Sequence, residues 1–93
     1  MRTNAHNKIS NDLSVARASR GLSRKTVATI LGYKRTAPLT HFERGERLPS
    51  LKKALQLEIL YRRPVAFLFP DMYTAMRKDI REAESQLKQQ TLF

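Results

Sequence analysis

The sequence contains no cysteine and no tryptophan, and it has only eight acidic residues against eighteen lysines and arginines. Without cysteine the chain can form no disulfide, no thiolate metal site and no thiol nucleophile. No apolar run approaches the roughly 20 residues that a membrane-spanning helix needs, and the N-terminal segment lacks the apolar core of a signal peptide. We therefore expect a soluble, cytoplasmic protein with no membrane partner.

Residues that commonly carry catalysis are also scarce. His6 and His41 are the only histidines and lie far apart in the chain. The sequence has no pair of histidines at helical spacing for a metal ion and no glycine-rich phosphate loop. We expect no enzymatic activity, no cofactor and no metal site.

The positive charge is concentrated in the first half of the chain. Residues 1–50 carry ten basic and three acidic residues, a net +7, whereas residues 51–93 carry eight and five, a net +3. Such an excess favours a polyanion as partner and places its binding site in the first half. Anionic lipid is a minor alternative, because only the C-terminal segment approaches a basic amphipathic helix.

Apolar spacing and capping residues predict an all-α chain. We expect residues 1–8 to be a mobile arm, residues 9–70 a compact five-helix domain, and residues 71–93 a C-terminal helix. The predicted helices run from Asn11 to about Gly21, from Ser23 to Gly32, from near Pro38 to Gly45, from Leu51 to Tyr61, as a short apolar turn after Pro64, and from Met72 to about Gln90.

Two of these helices have distinctive apolar patterns. The fourth is apolar on more than one side, so we expect it to be central to the core. The last has a narrow, heptad-like stripe formed by Met72, Met76, Ile80, Ala83 and Leu87. This stripe predicts either packing against the domain or, as we favour, a seam with a second copy through Met76, Ile80 and Leu87.

Two short helices about a glycine-containing turn in a basic helical domain are the outline of a helix-turn-helix. The residues that make the pattern more specific are Leu22-Ser23, Val27-Ala28, Leu31-Gly32, Leu39, Phe42-Glu43-Arg44-Gly45-Glu46-Arg47 and Leu48-Pro49-Ser50-Leu51. In this order the chain resembles the lambda-repressor-like family of Cro-type regulators over about residues 13–70. The segment between Gly32 and Glu43 is one residue longer than the family pattern.

The resemblance implies a double-stranded DNA partner and a third helix that enters the major groove. A groove-binding helix needs exposed polar side chains near its N-terminal end. Once Leu39 and Phe42 are assigned to the core, the remaining residues are Thr36, Ala37, Thr40 and His41. We predict that these four contact bases. The alternatives are that Thr36 or Ala37 only caps the helix and that His41 is only a solvated surface residue.

Six cations are predicted to contact phosphates. Lys34 and Arg35 precede the third helix and can reach a phosphate, which we favour, or a guanine edge. Arg24 and Lys25 open the second helix, where free N–H groups and the helix dipole attract anions. Arg44 and Arg47 flank Gly45 on the other side.

Glu43 is an acidic residue in the basic half and needs a partner that neutralises it. The matching glutamate of the resembled family pairs with an arginine of the first helix, and that position here is Arg17. The alternative is a loose pair with Arg44 or Arg47.

These features predict a dimeric, repressor-type transcriptional regulator on a two-fold related operator, associated with the nucleoid. One alternative is an antitoxin of the same fold whose C-terminal helix binds a cognate toxin. The others are a basic RNA-binding domain and a protein adaptor that uses only the long helix.

Overall fold

The computed structural model describes residues 8–91, with side chains described for residues 8–88. In that range the chain forms six α-helices and no strand: α1 Leu13–Ser19, α2 Arg24–Ile30, α3 Ala37–Glu43, α4 Leu51–Tyr61, α5 Val65–Leu68 and α6 Pro70–Thr91. The expected all-helical chain with a long C-terminal helix is confirmed for these residues. The predicted arm, apart from Lys8, lies outside the described residues, as do Leu92 and Phe93.

The first three helices end in the same way, each at a glycine with positive φ. At the end of α3, Gly45 donates to the Phe42 carbonyl at 3.0 Å and Glu46 donates to the His41 carbonyl at 2.9 Å. This is the Schellman pattern, which needs a left-handed residue. A Cβ on Gly45 would also lie 2.3 Å from the Ile9 carbonyl oxygen. Gly45 therefore fixes both the end of α3 and the path of the chain beside it.

The starts of the helices follow their capping residues. The hydroxyl groups of Ser23 and Ser50 accept hydrogen bonds from backbone N–H groups of α2 and α4, as N-caps do. Thr36 occupies the N-cap position of α3, but its side chain makes no capping bond. The proline that follows at the second helical position is tolerated there because first-turn N–H groups have no intrahelical partner.

The core is formed by residues from α1 to α5 and the Phe69 junction. Its largest fully buried side chains are Leu13, Val27, Leu39, Leu57, Tyr61 and Leu68. Asn11 ties the start of α1 to this core, because its side-chain amide donates to the carbonyl of Phe42 at 3.1 Å while its oxygen accepts from the Leu13 backbone. Helix α1 therefore begins at Leu13, two residues later than predicted.

Helix α4 contributes three buried residues to the core, as its apolar pattern predicted, but its other apolar residues are at least partly exposed. Ala54, Leu57 and Tyr61 are buried, whereas Leu51 and Ile59 are each 75% exposed. Leu51 borders a groove at the start of α6, whereas Ile59 borders a separate hollow beside Ile30 and Leu31. A domain of five short helices covers only one side of α4.

Helix α6 begins at Pro70, where the sequence predicted a break before a helix at Met72. Proline is favoured at a first helical position because its φ is already helical and its missing N–H would be unpaired. Every side chain from Tyr73 to Lys88 is exposed, so most of α6 projects from the domain. No helix of residues 8–91 combines the length and apolarity that crossing a membrane requires.

Candidate nucleic-acid interface

The first turn of α3 and the chain preceding it enclose a shallow basic hollow of about 360 Å³. Its lining residues are Tyr33, Lys34, Arg35, Ala37, Pro38, His41 and Arg47. Five of the predicted site residues thus meet in one place, two predicted to contact bases and three predicted to contact phosphates. The hollow is open and has cations on both sides of α3.

The two threonines of this region differ in what their hydroxyl groups can offer. Thr36 is exposed and makes no capping bond, so its hydroxyl group is available to an outside partner. The Thr40 hydroxyl lies 3.3 Å from the Thr36 carbonyl and donates to it. Thr40 therefore presents its methyl group and its remaining acceptor capacity.

His41 is held by Glu46, a residue that the sequence did not point to. Its Nδ1 lies 2.7 Å from Oε1 of Glu46. Because an ionised carboxylate only accepts hydrogen bonds, Nδ1 is the donor in this contact, and Nε2 is an acceptor when the ring is neutral. The hydrogen bond from His41 holds the pKa of Glu46 below its usual value. The imidazole on the exposed side of α3 thus has a set orientation and tautomer.

Glu43 is nearly buried, with 3% of its side chain exposed, and it contacts two arginines. Arg17 Nε lies 2.7 Å from one carboxylate oxygen, and Arg24 Nε lies 2.9 Å from the other. Hydrogen bonding to Glu43 raises the pKa of Arg17. The structure therefore brings Arg17 and Glu43 together as the resemblance implied, and the alternative partners Arg44 and Arg47 are not the ones that the carboxylate contacts.

The remaining predicted phosphate contacts, Arg24, Lys25 and Arg44, do not line the hollow. Arg24 is half exposed although its Nε contacts Glu43. Lys25 and Arg44 are exposed. Lys53, in contrast, hydrogen bonds to the Leu31 carbonyl and lies 4.7 Å from the centre of the Tyr33 ring. Its ammonium group is directed into the domain.

Sequence reasoning missed Glu46 and the second partner of Glu43 for different reasons. The contact of Glu46 with His41 could have been predicted from Gly45, because in a Schellman motif the residue after the glycine turns back toward the last helical turn. No local signal could have joined Arg24 to Glu43, since their contact depends on how α2 packs across α3. Among the described residues there is no cluster of three or more acidic or histidine side chains that could hold a metal ion.

The predicted self-association residues occupy one exposed face of α6. Met76 is 56% exposed, Ile80 58% and Leu87 61%. They lie on the part of α6 that projects from the domain, away from the basic hollow.

No protein-family model, curated protein or solved structure matches this chain.

Proposed function

We propose that this protein is a sequence-specific double-stranded DNA-binding regulator in which α2 and α3 form a lambda-repressor-like helix-turn-helix. The observation that carries the proposal is the basic hollow at α3, where His41 and Ala37 lie among Lys34, Arg35 and Arg47. A helix with polar side chains at its N-terminal end and cations beside it suits insertion into a major groove. The protein would act as a repressor, as a homodimer on a two-fold related operator.

The acidic residues near α3 support this proposal because each is paired within the protein. Glu43 is held between Arg17 and Arg24, and Glu46 is held by His41. The Glu43 carboxylate, which has two arginine partners, therefore leaves no isolated negative charge facing a phosphate backbone. The cations of the hollow therefore dominate the local field, which favours a polyanion.

His41 is the residue with the most definite chemical preference. With Nδ1 directed at Glu46, the neutral form of the ring would offer Nε2 as an acceptor to the groove. The major-groove donors are the amino groups of adenine and cytosine. We expect His41 to select one of these bases, and Thr40 or Ala37 to contact a neighbouring thymine methyl group.

Selection of bound sequences from a random pool of duplexes tests the proposal directly. The expected result is enrichment of a palindrome whose half-sites contain a preferred adenine or cytosine. A chain that enriches no duplex sequence, or that binds structured RNA more tightly than the enriched duplex, contradicts it. The second outcome would indicate an RNA-binding domain.

Variants separate base contacts from phosphate contacts. His41→Ala should weaken operator binding by about 1–3 kcal/mol with little change on random duplex, because only a base contact depends on sequence. Lys25→Ala and Arg44→Ala should weaken both duplexes and lower the salt slope by roughly one ion each. Lys78→Ala, an exposed lysine of α6, is the matched control and should change neither.

Glu46→Ala gives a sharper test of the same site. Removing this carboxylate frees His41 and deletes a negative charge, so binding to random duplex should strengthen while the preference for the operator falls. An unchanged ratio of the two affinities in both Glu46→Ala and His41→Ala would move base contacts to Lys34 and Arg35.

A further inference from the structure

The exposed face of α6 has a regular heptad arrangement. Tyr73, Ile80 and Leu87 are seven residues apart, and Met76 and Ala83 alternate with them. In heptad terms the first three are a positions and the other two d positions, which form the seam of a two-helix coiled coil. All five side chains are exposed within one copy of the chain. A row of this kind on an otherwise polar helix is suited to a partner helix.

The seam leads into an apolar groove of about 420 Å³ at the base of α6. The groove is lined by Leu48, Pro49, Leu51, Ala54, Val65, Ala66, Phe69, Met72, Tyr73 and Met76. Tyr73 and Met76 belong to both the groove and the seam. The apolar surface is therefore continuous from the domain along the projecting helix.

The charges beside the seam determine which occupant fits. The positions that flank a seam and set partner orientation are e and g. In α6 the e positions are Arg77 and Glu84, and the one charged g position is Asp79. Arg77 and Glu84 are opposite in charge and one heptad apart, so a copy of the same helix running in the reverse direction presents the complementary order.

We propose that a second copy of this chain occupies the seam, with the two α6 helices antiparallel. Reversal sets a positions opposite d positions, so Ile80 packs against Ala83 of the partner subunit and Met76 against Leu87 of the partner subunit. Arg77 then lies beside Glu84 of the partner subunit, twice in the pair. A parallel pair would instead bring Asp79 beside Glu84 of the partner subunit, which places like charges together.

This arrangement sets the distance between the two points at which α6 joins its domain. The two-fold axis lies midway between Ile80 and Ala83, so the two Pro70 residues are separated by about 35 Å along the helices at 1.5 Å per residue. Adjacent half-sites on one face of DNA are about 34 Å apart. The match with half-site spacing rests on the proposed DNA binding, whereas the antiparallel pairing gives a geometry to the proposed homodimer and does not require DNA.

Charge reversal on the full-length chain, measured by sedimentation equilibrium without DNA, tests the direction of the pair. Glu84→Lys and Arg77→Glu should each weaken self-association by roughly tenfold, because two attractive pairs become repulsive. The double variant R77E/E84K should recover the affinity. Glu82→Lys, the same charge change away from the seam, is the control and should leave the affinity unchanged.

Two outcomes overturn the proposal. A parallel pair predicts that Glu84→Lys strengthens self-association, since lysine would face Asp79. A wild-type chain that stays monomeric at all concentrations excludes a second copy and leaves the seam to a different protein. Binding of the same variants to random duplex reports separately on the proposed function, because none of the changed residues lies at the basic hollow.

Cysteine cross-linking provides an independent measurement, because the chain has no cysteine of its own. Met76→Cys mixed with Leu87→Cys should form a disulfide between the two variants, and Met76→Cys alone should not. In the antiparallel pair two Met76 positions are about 17 Å apart along the axis, far beyond disulfide reach. Rapid cross-linking of Met76→Cys with itself would contradict the antiparallel arrangement.

Discussion

Helices α3 and α6 both carry apolar residues at helical spacing, but only α3 buries them. Leu39 of α3 is fully buried, whereas Ile80 of α6 is 58% exposed. Helix α3 packs against α1 and α2, whereas every described side chain of α6 beyond Met72 is exposed in one copy of the chain. An apolar stripe on a helix therefore indicates which face packs, but not which partner covers that face.

Truncating one apolar residue in each helix tests this difference in burial most directly. Leu39→Ala should lower the free energy of unfolding by about 4 kcal/mol, because it removes a buried side chain and leaves a cavity. Ile80→Ala should lower it by less than about 0.5 kcal/mol at concentrations where the chain is monomeric. Urea unfolding measures both. Equal losses would mean that α6 folds back onto the domain.

The ion pairs of the two helices also differ in how deeply they are buried. Arg17 and Glu43 are largely buried, and a double-mutant cycle with alanine should give a coupling energy of roughly 2–3 kcal/mol, since losing either partner leaves a desolvated charge. Lys78 and Glu82 form a 3.9 Å pair on the exposed side of α6.

The matched cycle on Lys78 and Glu82 should give a coupling energy of about 0.5 kcal/mol or less. Arg24 also contacts Glu43. Arg17→Ala should therefore lower the free energy of unfolding less than Glu43→Ala, because Glu43→Ala removes the partner of two arginines. A coupling between Arg17 and Glu43 no larger than that of the α6 pair would show that the buried contact does not brace α3.

The smallest effect distinguishes a buried tyrosine from an exposed one. Burial raises the pKa of Tyr61 to about 12, from a usual value of 10.0, with the Glu43 charge adding to the shift. As the pH rises, the unfolded chain therefore loses the Tyr61 proton before the folded chain does. The contribution of Tyr61 to the free energy of unfolding is complete below about pH 10 and declines as the pH rises toward about 12. At about pH 11 the loss should be about 1.4 kcal/mol.

Tyr61→Phe should abolish that loss, measured as the difference in unfolding free energy between about pH 8 and about pH 11. Near neutral pH the variant should match or slightly exceed the wild type, because the Tyr61 hydroxyl has no hydrogen-bond partner among the described residues. Tyr73→Phe, at an exposed position of α6, is the control. If both variants follow the wild-type pH profile, Tyr61 is not the group responsible.

Much of the helical framework was predictable because its signals are local. Ser23 and Ser50 supply side-chain acceptors where helices begin, and Gly21, Gly32 and Gly45 supply the left-handed residue where they end. A capping bond or a positive φ depends on a few neighbouring residues, so it can be recognised from the sequence. The start of α6 was misjudged because proline is compatible with both a break and a first helical turn.

Other features needed the tertiary structure because they join residues far apart in the chain. The apolar pattern of α4 indicated two packing faces, and only the number of helices around it decided that one would be exposed. The sequence was sufficient to predict the helical segments, the basic first half of the chain and the exposed positions of α3. Only the packing of the helices shows that Arg24 shares Glu43 with Arg17, that Glu46 orients His41 and that α6 projects from the domain. These three features depend on which surfaces of the folded chain meet.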